Sequence, residues 1–358
     1  MPHWVVSGGR TADSNERTRV MRAAINTRYG APDVLSIGEA ERPTLREREV
    51  LVEVHASAVT QGDRRLRAAD FPGISAVFGR LLIGVLGPRQ PVGGSAFAGR
   101  VVEVGRSVTR FAVGDEVFGS VMHGAYAEYL AVGEDEPIAK KPTNTSFAEA
   151  AAIPYGGLTA LVFLRDLAKV QPGERVLVVG ASGGVGRMAV QMAKHLGAEV
   201  TGVCSRDGDL VRELGASDVI DYRQTDFAKS GRHWDVIFDT TEGDHFRAFR
   251  PALSAMGRYL SLYMTARLIL EMALNRFRGG QRAIGGVAMG NAALMDDVRE
   301  LVERGALRPV IAERFPLDRI VDAHARLEAG RPRGSVVVDV AEARAEVHTL
   351  PLRRAQVA

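Results

Sequence analysis

The sequence predicts an α/β protein in which a β-rich domain precedes a doubly wound parallel sheet. Short strand patterns separated by glycine-containing turns fill residues 21 to about 150. From about Pro154 onwards, apolar strand patterns alternate with helical ones, which is typical of a parallel sheet covered by helices on both faces. One of these strands is joined to its helix by a glycine-rich stretch, residues 180–186.

The bulk composition allows two domains and argues against several functions. The chain has 358 residues, of which 46% are hydrophobic and 25% charged, as in an ordinary soluble protein. The net charge is only +3 and the basic residues are scattered, so no nucleic-acid surface is predicted. No apolar run approaches the roughly 18 residues of a membrane span, so no span is predicted.

The cysteine content and the N-terminus bear on the compartment. Cys204 is the only cysteine, so no disulfide forms within the chain, and a reducing, cytoplasmic compartment is expected. Residues 1–20 lack the apolar segment of a signal peptide and are predicted to be a disordered leader, with Met21 as an alternative start.

The β-rich half holds four strand candidates, at residues 50–60, 97–105, 115–121 and 125–132. Between the first two, residues 69–94 are apolar, rich in Gly and Pro, and poorly periodic. We predict an irregular loop there. Because long ordered loops are often functional, we expect this one to influence the choice of substrate.

The second half alternates strands with helices. The strand candidates lie at residues 175–180, 199–204, 218–221, 234–239, 257–263 and 334–340. Helical spacing is found at residues 156–170, 184–197, 207–214, 264–278, 292–304 and 317–329, and in a segment that ends at Leu253. The last strand is β-branched and is expected to return to the first domain.

The glycine turn is the most specific motif. It lies between an apolar strand, 176–179, and a helix with apolar residues at steps of four, three and four: Val185, Ala189, Met192 and Leu196. Glycine permits the positive φ of a tight turn and lets a pyrophosphate approach the backbone, while the helix N-terminus attracts the anion. In this strand–turn–helix order the motif predicts a dinucleotide site, and the alternative is a plain tight turn.

The end of the following strand predicts which dinucleotide binds. NAD sites usually carry Asp or Glu there for the ribose diol. Here Cys204 is followed by Ser205 and Arg206, which can both bind a 2′-phosphate, and a charge-assisted hydrogen bond contributes about 1.5–3 kcal/mol. NADP(H) is therefore predicted. Asp207 keeps an alternative open, since it could pair with Arg206 or repel the phosphate.

Several motifs together resemble the medium-chain dehydrogenase/reductase superfamily. They are "RYGAPDVL", "GDRRLR", "FAGRVVEVGRSVTRFAVGDEVFG", "GAYAEY", "AAIPYGGLTAL", "GASGGVG", "ELGASDVIDY" and "RGSVVVDV". More narrowly, residues from about 21 to 340 look like the zinc-lacking quinone oxidoreductase and enone reductase branch. The resemblance implies a GroES-like catalytic domain at 21–150, a Rossmann NADP-binding domain at 151–286, a return to the catalytic domain at 287–342, a tail at 343–358, and a homodimer.

The metal-ligand positions of the superfamily hold hydroxyls in this chain. Zinc alcohol dehydrogenases hold their catalytic metal with Cys, His and Cys, and these positions match Thr60, Ser95 and the vicinity of Tyr155. The cysteine-rich structural zinc lobe is absent too. No two of the eight histidines have a spacing that would rebuild a site. No metal is therefore expected.

A site without zinc restricts the chemistry. Zinc polarises a carbonyl and stabilises an alkoxide, so without it the reduction of an unactivated ketone lacks its main charge stabilisation. Hydride addition to a conjugated C=C spreads the charge onto an oxygen that hydrogen-bond donors in a dry pocket can hold. We therefore expect NADPH-dependent reduction of a hydrophobic quinone or α,β-unsaturated carbonyl, with a hydroxyl or water supplying the proton.

Four residues are candidates at the reacting carbon. Tyr155 could donate to the developing oxyanion or the carbanion, or could merely fill the space of cysteine and metal. Thr60 and Ser95 are lesser donors, or caps of a strand or turn. Asp63 is expected to organise its loop as a hydrogen-bond acceptor rather than act as a base. Phe71 stands where some enoyl reductases of the superfamily carry a tyrosine acid, which weakens an enoyl-thioester reductase assignment.

The cofactor contacts are predicted from the resemblance and from the rule that ligands bind at the carboxyl ends of parallel strands. Thr159 is expected near the nicotinamide, or else is a buried threonine bonded to its own helical turn. Tyr222 would lie near the adenine or the 2′-phosphate, and Asn291 at the nicotinamide ribose. The predicted set is Thr159, Gly180, Ser182, Gly183, Gly184, Val185, Gly186, Ser205, Arg206, Tyr222, Thr240 and Asn291.

Two other functions stay open at this point. One is an NAD(P)-dependent alcohol dehydrogenase or ketone reductase. The other is a non-catalytic NADPH-binding protein, because an intact cofactor turn does not by itself imply turnover.

Overall fold

The computed structural model describes residues 20–71, 75–243, 245–275, 279–288, 290–330 and 332–341. The predicted tail, 343–358, and the predicted leader up to residue 19 lie outside these described residues. None of the helices in these ranges is long and apolar enough to cross a membrane.

The first part of the chain is mostly β-structure. Its strands are β1 (Val20–Asn26), β2 (Leu35–Glu41), β3 (Glu49–Val59), β4 (Ala96–Val104), β5 (Glu116–Ser120), β6 (Tyr129–Gly133) and β7 (Ile138–Lys140). Its helices are α1 (Gln61–Ala68), α2 (Ser75–Ile83), α3 (Phe147–Ala151) and α4 (Pro154–Ala160), and α4 continues as a π-helical turn, Leu161–Leu167.

The second part alternates strands and helices. In chain order these are β8 (Arg175–Val179), α5 (Gly184–His195), β9 (Glu199–Cys204), α6 (Gly208–Glu213), β10 (Asp218–Asp221), β11 (Trp234–Asp239), α7 (Phe246–Phe249), β12 (Leu253–Ser261), α8 (Ala266–Asn275), β13 (Arg282–Gly285), α9 (Ala292–Glu303), β14 (Ile311–Pro316), α10 (Ile320–Glu328) and β15 (Ser335–Asp339).

The strands form two large sheets. One is parallel, with the order β10-β9-β8-β11-β12-β13. The strand order reverses between β8 and β11, and ligands bind at such a switch point. The other has the order β14-β15-β3-β4-β5-β7, and β6 also pairs with β3. Because β15 pairs antiparallel with β3, this late strand returns to the sheet of the first domain. The fold is thus the predicted α/β class, with a GroES-like and a Rossmann part.

The parallel sheet is buried on both faces, which explains its continuous apolar strands. On β8, Val176 and Val178 pack into the cluster that contains α5 residues such as Met188. Leu177 and Val179 point to the opposite cluster, beneath α8. The carboxyl ends of these strands are thereby held at one edge of a rigid layer.

The structure corrects part of the prediction for residues 69–94, because Ser75–Ile83 is helical. Gly79 made this segment look irregular, but it lets the helix approach the Phe71 ring, where a Cβ would lie 2.8 Å from Cδ2. Strands β2, β7, β13 and β14 were not predicted either. No residue of β14 is fully buried, and its pairing with β15, rather than an alternating apolar pattern, makes it a strand.

Several predicted boundaries also differ. The strand expected at 257–263 already begins at Leu253. The strand expected at 125–132 begins only at Tyr129. The helix expected to reach Leu253 is a short helix, Phe246–Phe249, followed by a 3-10 turn. The helix expected at 317–329 opens with a 3-10 turn, and its α-helical part spans Ile320–Glu328. Helix ends depend on local capping, which apolar spacing does not report.

Candidate active site

The glycine turn joins β8 to α5 at the switch point of the parallel sheet. Gly180 has φ of +78°, which favours glycine. A Cβ on Gly186 would lie 2.1 Å from the carbonyl oxygen of Gly180, so the helix can approach the turn only if residue 186 is glycine. Helix α5 begins at Gly184, and its first N–H groups have no partner within the helix.

The outer side of this turn has room for a phosphate. A Cβ added to Gly184 would meet no heavy atom within 4 Å, and Gly183 and Gly184 are both exposed. Two of the glycines are therefore required by the fold, whereas Gly184 faces open space at a helix N-terminus. A pyrophosphate fits this cradle, since it needs backbone N–H groups and no side chains. Ser182 and Val185 belong to the same turn and first helical turn.

The predicted 2′-phosphate residues follow β9. Arg206 is exposed, and Asp207 forms an ion pair with Arg333, 3.6 Å between Oδ1 and Nε. Asp207 is therefore engaged by a cation other than Arg206. One predicted alternative, a pair of Asp207 with Arg206, is absent from the ion pairs of the described residues. Arg206 thus remains available to a phosphate at the end of β9.

Two further arginines lie at this end of the sheet, and neither was predicted. Arg223 donates from Nη2 to the carbonyl oxygen of Ser205 at 2.6 Å. Arg187 donates from Nη1 to the carbonyl oxygen of Ser182 at 2.6 Å, and burial lowers its pKa to about 10, against the opposing effect of Asp207. Both were visible in the sequence, since one follows Gly186 and the other follows Tyr222.

Thr60, Ser95 and Tyr155 are the three hydroxyl-bearing residues that the resemblance matched to metal-ligand positions or their vicinity. Two of them, with a carboxyl group, form one hydrogen-bonded cluster. Oδ2 of Asp63 accepts from the backbone N–H of Thr60 at 2.8 Å and from its hydroxyl at 2.6 Å. The Thr60 hydroxyl lies 3.3 Å from Oγ of Ser95. All three residues, Thr60, Asp63 and Ser95, are buried, and we call them the hydroxyl cluster. Thr60 and Asp63 also form the capping box of α1, which agrees with a structural part for both.

Tyr155, on α4, brings the third hydroxyl towards this cluster. Its ring lies against Gly62, where a Cβ would be 3.0 Å from Cε2. Burial, with the nearby charges of Tyr263 and Asp63, raises the pKa of Tyr155 to about 12. The phenol therefore keeps its proton at neutral pH and can donate a hydrogen bond. Thr159, one turn later, donates its hydroxyl to the carbonyl oxygen of Tyr155 at 2.6 Å.

Contacts between α1 and the second domain cross the crevice at this point. Arg65 forms an ion pair with Glu242 at 3.3 Å, and its guanidinium carbon lies 4.7 Å from the centre of the Tyr263 ring. Glu242 follows β11 and Tyr263 follows β12, at the carboxyl ends of both strands. These contacts hold α1, which carries Asp63, beside the carboxyl ends of β11 and β12.

Other predicted contacts have structural partners. Thr240 donates its hydroxyl to the carbonyl oxygen of Val179 at 2.8 Å, and it lies against Gly180, at the switch point. Asn291 caps α9, where its side chain accepts from the N–H of Leu294 at 2.9 Å. Tyr222 is exposed at the end of β10. Thr240 stays near the predicted cofactor path, whereas the side-chain oxygen of Asn291 is used by its helix.

A cavity of about 350 Å³ lies beside Asp63, and we call it the Asp63 cavity. Its wall includes Arg67, Tyr126 and His324, which are buried and were not predicted. Burial raises the pKa of Asp63, and it lowers the pKa of His324 to about 3, with help from the charge of Arg67. Arg67 is paired with Glu328. The motifs "GDRRLR" and "GAYAEY" contain two of these residues, but nothing in the sequence pointed to His324.

No group of three or more His, Cys, Asp or Glu side chains able to hold a metal ion occurs among the residues that the structure describes. The hydroxyls of Thr60, Ser95 and Tyr155 are poor substitutes for thiolate and imidazole ligands.

Two known protein families match this chain, one in each part. "Alcohol dehydrogenase GroES-like domain" matches residues 46–160, and "Zinc-binding dehydrogenase" matches residues 214–338. The human "NAD(P)H oxidoreductase RTN4IP1, mitochondrial" is 31% identical over 92% of this chain and 92% of that protein. The "2-methylene-furan-3-one reductase" of Solanum lycopersicum is 32% identical over 89% of this chain and 79% of that protein.

A solved structure of a related protein is also similar to this chain over most of its length. The quinone oxidoreductase of Coxiella burnetii superposes with a TM-score of 0.79 and 30% identity, over 90% of this chain and all of that one. The GroES-like fold, the Rossmann sheet and the glycine turn define a two-domain oxidoreductase that uses a nicotinamide cofactor. The chain belongs to the medium-chain dehydrogenase/reductase superfamily.

Proposed function

We propose that this protein is an NADPH-dependent reductase that transfers hydride to the conjugated C=C of a quinone or an α,β-unsaturated carbonyl, without a metal. The observation that carries the proposal is the hydroxyl cluster. The Thr60 and Ser95 hydroxyls are 3.3 Å apart beside the buried Asp63, and Tyr155 lies close by. By the resemblance, these residues match the positions of metal ligands in zinc members of the superfamily, or lie near them. Such a site offers hydrogen-bond donors to an oxyanion, but no Lewis acid.

Each side of the crevice has its own part in this reaction. A bound nicotinamide cofactor supplies the hydride. The turn at Gly184 holds the pyrophosphate on backbone N–H groups, and Arg206 binds the 2′-phosphate. Tyr155 donates its hydroxyl proton as a hydrogen bond to the oxygen on which charge develops, because its raised pKa keeps it neutral. We assign the proton transfer to the reduced substrate to the Thr60 hydroxyl.

The names of the relatives support the choice of acceptor. The tomato relative is named for an enone, 2-methylene-furan-3-one, and the Coxiella protein for quinones. Both acceptors have a C=C conjugated to an oxygen, which is the feature that a site built on hydroxyl donors can exploit. We therefore place small, hydrophobic quinones and enones ahead of simple ketones as substrates.

The test is the oxidation of NADPH by the purified full-length chain. We expect turnover with 1,4-benzoquinone or cyclohex-2-enone, none with cyclohexanone, and unchanged rates after dialysis against a chelator. NADH is expected to be the poorer donor. Rates that fall on chelation and return with zinc would contradict the metal-free site.

The runner-up is an alcohol dehydrogenase or ketone reductase, which the two matching families favour by their descriptions. Reduction of cyclohexanone at rates equal to the enone would support it. The third possibility is a non-catalytic NADPH-binding protein. Tight NADPH binding without turnover on quinones, enones, enoyl thioesters and ketones would favour that one.

Assembly and compartment are further parts of the proposal. We expect a homodimer, which light scattering on the purified protein measures. The cytoplasmic location expected from the single cysteine stays a prediction, because the human relative is named as mitochondrial. Fractionation of the source cells, followed by immunoblotting, tests it.

A further inference from the structure

The Asp63 cavity is separate from the hydroxyl cluster, and Asp63 belongs to both. Asp63 lines the cavity, whereas Thr60, Ser95, Tyr155 and Thr159 do not. Its Oδ2 atom faces the cluster through the hydroxyl of Thr60. Its Oδ1 atom is buried and has no hydrogen bond of ordinary geometry to a protein group among the described residues. The hydroxyls of Ser95 and Tyr126 lie near enough to the carboxyl group to lower its pKa against the effect of burial. The Asp63 carboxyl group therefore lies between the hydroxyl cluster and the cavity.

Other buried polar atoms around the cavity also have no hydrogen bond of ordinary geometry to a protein group in the part of the chain that the structure describes. They are the hydroxyl of Tyr126, Nε and Nη1 of Arg67, and both ring nitrogens of His324. None of the three residues is more than 4% exposed. Buried polar groups in proteins are nearly always hydrogen-bonded, to water where no protein group is available. The Asp63 cavity of about 350 Å³ has room for several water molecules, each of which occupies roughly 30 Å³ in the liquid.

The cavity also reaches the surface. Its lining includes Leu82 and Met122, which are 70% and 64% exposed, together with the accessible His123. The cavity therefore opens to bulk solvent, and water that enters it can exchange protons with the solvent. The apolar wall provided by side chains such as Leu35 and Leu66 keeps this water in a narrow space rather than in an open cleft.

We propose that the Asp63 cavity is a water-filled proton reservoir, and that Asp63 passes protons from it through the Thr60 hydroxyl to the reduced substrate. The inference rests on the proposed function and adds the source of the second hydrogen. Asp63 acts through Thr60 and is a positioning and relay residue, while Thr60 is the group that touches the substrate.

Every proton and electron pair in this step is accounted for. Hydride forms a C–H bond at the β-carbon of an enone, and the π-electrons move to give an enolate. The enolate α-carbon takes the proton of the Thr60 hydroxyl, Thr60 takes the proton of the Asp63 carboxyl, and Asp63 is recharged by water of the cavity. The 2.6 Å contact between Thr60 Oγ1 and Asp63 Oδ2 allows the hydrogen bond to run in either direction.

The charges around Asp63 are compatible with a carboxyl group that is protonated for part of the cycle. Burial raises its pKa. The titratable groups facing it from other elements are Tyr126 and Tyr155, both with pKa values raised by burial, so neither is ionised at neutral pH. Arg67 is the nearest cation, and it is paired with Glu328, while His324 is neutral.

The main test is Asp63→Asn, with cyclohex-2-enone as acceptor. Asparagine keeps an oxygen for the Thr60 N–H, so the cap of α1 is retained, but it carries no proton to pass on. We expect kcat to fall about 10–100-fold, in the range of general acid catalysis. The kinetic isotope effect of NADPH deuterated at the transferred hydrogen falls towards unity, and the D2O effect rises, because protonation becomes limiting. The decline of kcat towards high pH, as Asp63 loses its proton, disappears.

Glu149→Gln is the matched control, because Ser146 and Glu149 form the same kind of capping box at α3. Its kinetics and isotope effects are expected to equal those of the wild type. Tyr126→Phe is the second variant, since it removes a cavity hydroxyl and leaves the Thr60–Asp63 contact in place. We expect its D2O effect to rise about 2-fold with little change in NADPH binding, even if Asp63→Asn fails to fold.

The outcomes separate this inference from the proposed function. If the wild type reduces the enone and both variants keep the wild-type isotope effects and pH profile, the reservoir is refuted and the reductase stands. If none of the acceptors makes the wild type oxidise NADPH, the proposed reaction itself is refuted, and the relay falls with it. A shifted isotope-effect balance in Asp63→Asn or Tyr126→Phe, absent from Glu149→Gln, supports the relay.

Discussion

The two sides of the crevice are built in different ways. The glycine turn of the second domain uses backbone shape, since Gly186 sits where a Cβ would lie 2.1 Å from a carbonyl oxygen. The hydroxyl cluster of the first domain uses side-chain chemistry, with the Thr60 hydroxyl bonded to Asp63 and 3.3 Å from Ser95. In the glycine turn, position 186 has no room for an added atom, whereas position 184 has. In the hydroxyl cluster, the proposed chemistry depends on the hydroxyl groups and their protons.

This difference predicts which property of the protein a substitution changes on each side of the crevice. A change in the glycine turn alters sterics, and its effect on binding follows from whether the new atom has room. A change in the hydroxyl cluster leaves the shape nearly intact and alters hydrogen bonding or proton transfer. Binding of the cofactor and chemistry on the acceptor should therefore be separable by mutation.

The largest effect is expected from Gly186→Ala. Its Cβ would clash with the backbone of Gly180, and overpacking of this kind costs about 1–3 kcal/mol of unfolding free energy. We expect NADPH affinity to fall more than about 100-fold, because displacing the phosphate cradle removes about 3 kcal/mol of binding free energy. Urea unfolding and fluorescence titration with NADPH measure both quantities.

Gly184→Ala is the control for this change. Its Cβ meets no protein atom within 4 Å, so stability should equal or exceed that of the wild type. NADPH affinity should still fall, by about 10-fold, because the methyl group occupies the approach of the pyrophosphate, and about 1.4 kcal/mol corresponds to that factor. Wild-type affinity in this variant would mean that the phosphates do not lie over Gly184.

The next effect, on the rate of enone reduction, is expected from Tyr155→Phe. Loss of one donor to a developing oxyanion costs about 100-fold in kcat, so enone reduction should fall by about this factor while the Kd for NADPH is unchanged. Steady-state kinetics and NADPH titration make the comparison. Tyr129→Phe, on β6 and remote from the crevice, is the control. An unchanged kcat would assign Tyr155 to packing alone.

A smaller and more selective effect is expected from Arg206→Ala. Losing a charge-assisted hydrogen bond of about 1.5–3 kcal/mol should raise the KM for NADPH by about 10–100-fold and leave that for NADH almost unchanged. Arg304→Ala, which removes an exposed arginine at the C-terminal end of α9, controls for loss of charge. Equal effects on both cofactors would remove the assignment of the 2′-phosphate to Arg206.

The last effect is on stability rather than on activity, and it is the pH dependence that His324 adds to the free energy of unfolding. Its pKa is lowered from 6.5 to about 3, so between these values the unfolded chain binds a proton that the folded protein does not. Stability is therefore lost as the pH falls below 6.5. Between pH 6.5 and 5 this amounts to about 2 kcal/mol, at about 1.4 kcal/mol per pH unit.

Urea unfolding at pH 7.5 and 5 tests this sign. His324→Gln should lose less stability on acidification than the wild type, by about 2 kcal/mol. The exposed His233→Gln serves as the control. Identical pH dependence in His324→Gln and the wild type would show that the buried histidine is not the cause.

Much of the cofactor-binding part of the second domain could be predicted from local sequence patterns. The apolar run Val176–Val179, the glycines that follow it and the helical steps of α5 are neighbours in the chain, so their spacing alone predicts the strand, the turn and the helix. The lack of soft metal ligands at Thr60 and Ser95 was equally visible. The helix at 75–83 and strand β14 were missed, because their structure depends on partners such as Phe71 and β15.

The sequence by itself determined the class of fold, the cradle for a dinucleotide and the residue types at the reacting centre, because each depends on residues within a turn or a strand. Only the tertiary structure decided the Asp63 cavity. It brings Arg67 to Glu328 across 261 positions and places His324 beside Tyr126. Burial, and with it the pKa of Asp63 and His324, comes from how distant segments pack, and no local pattern records that.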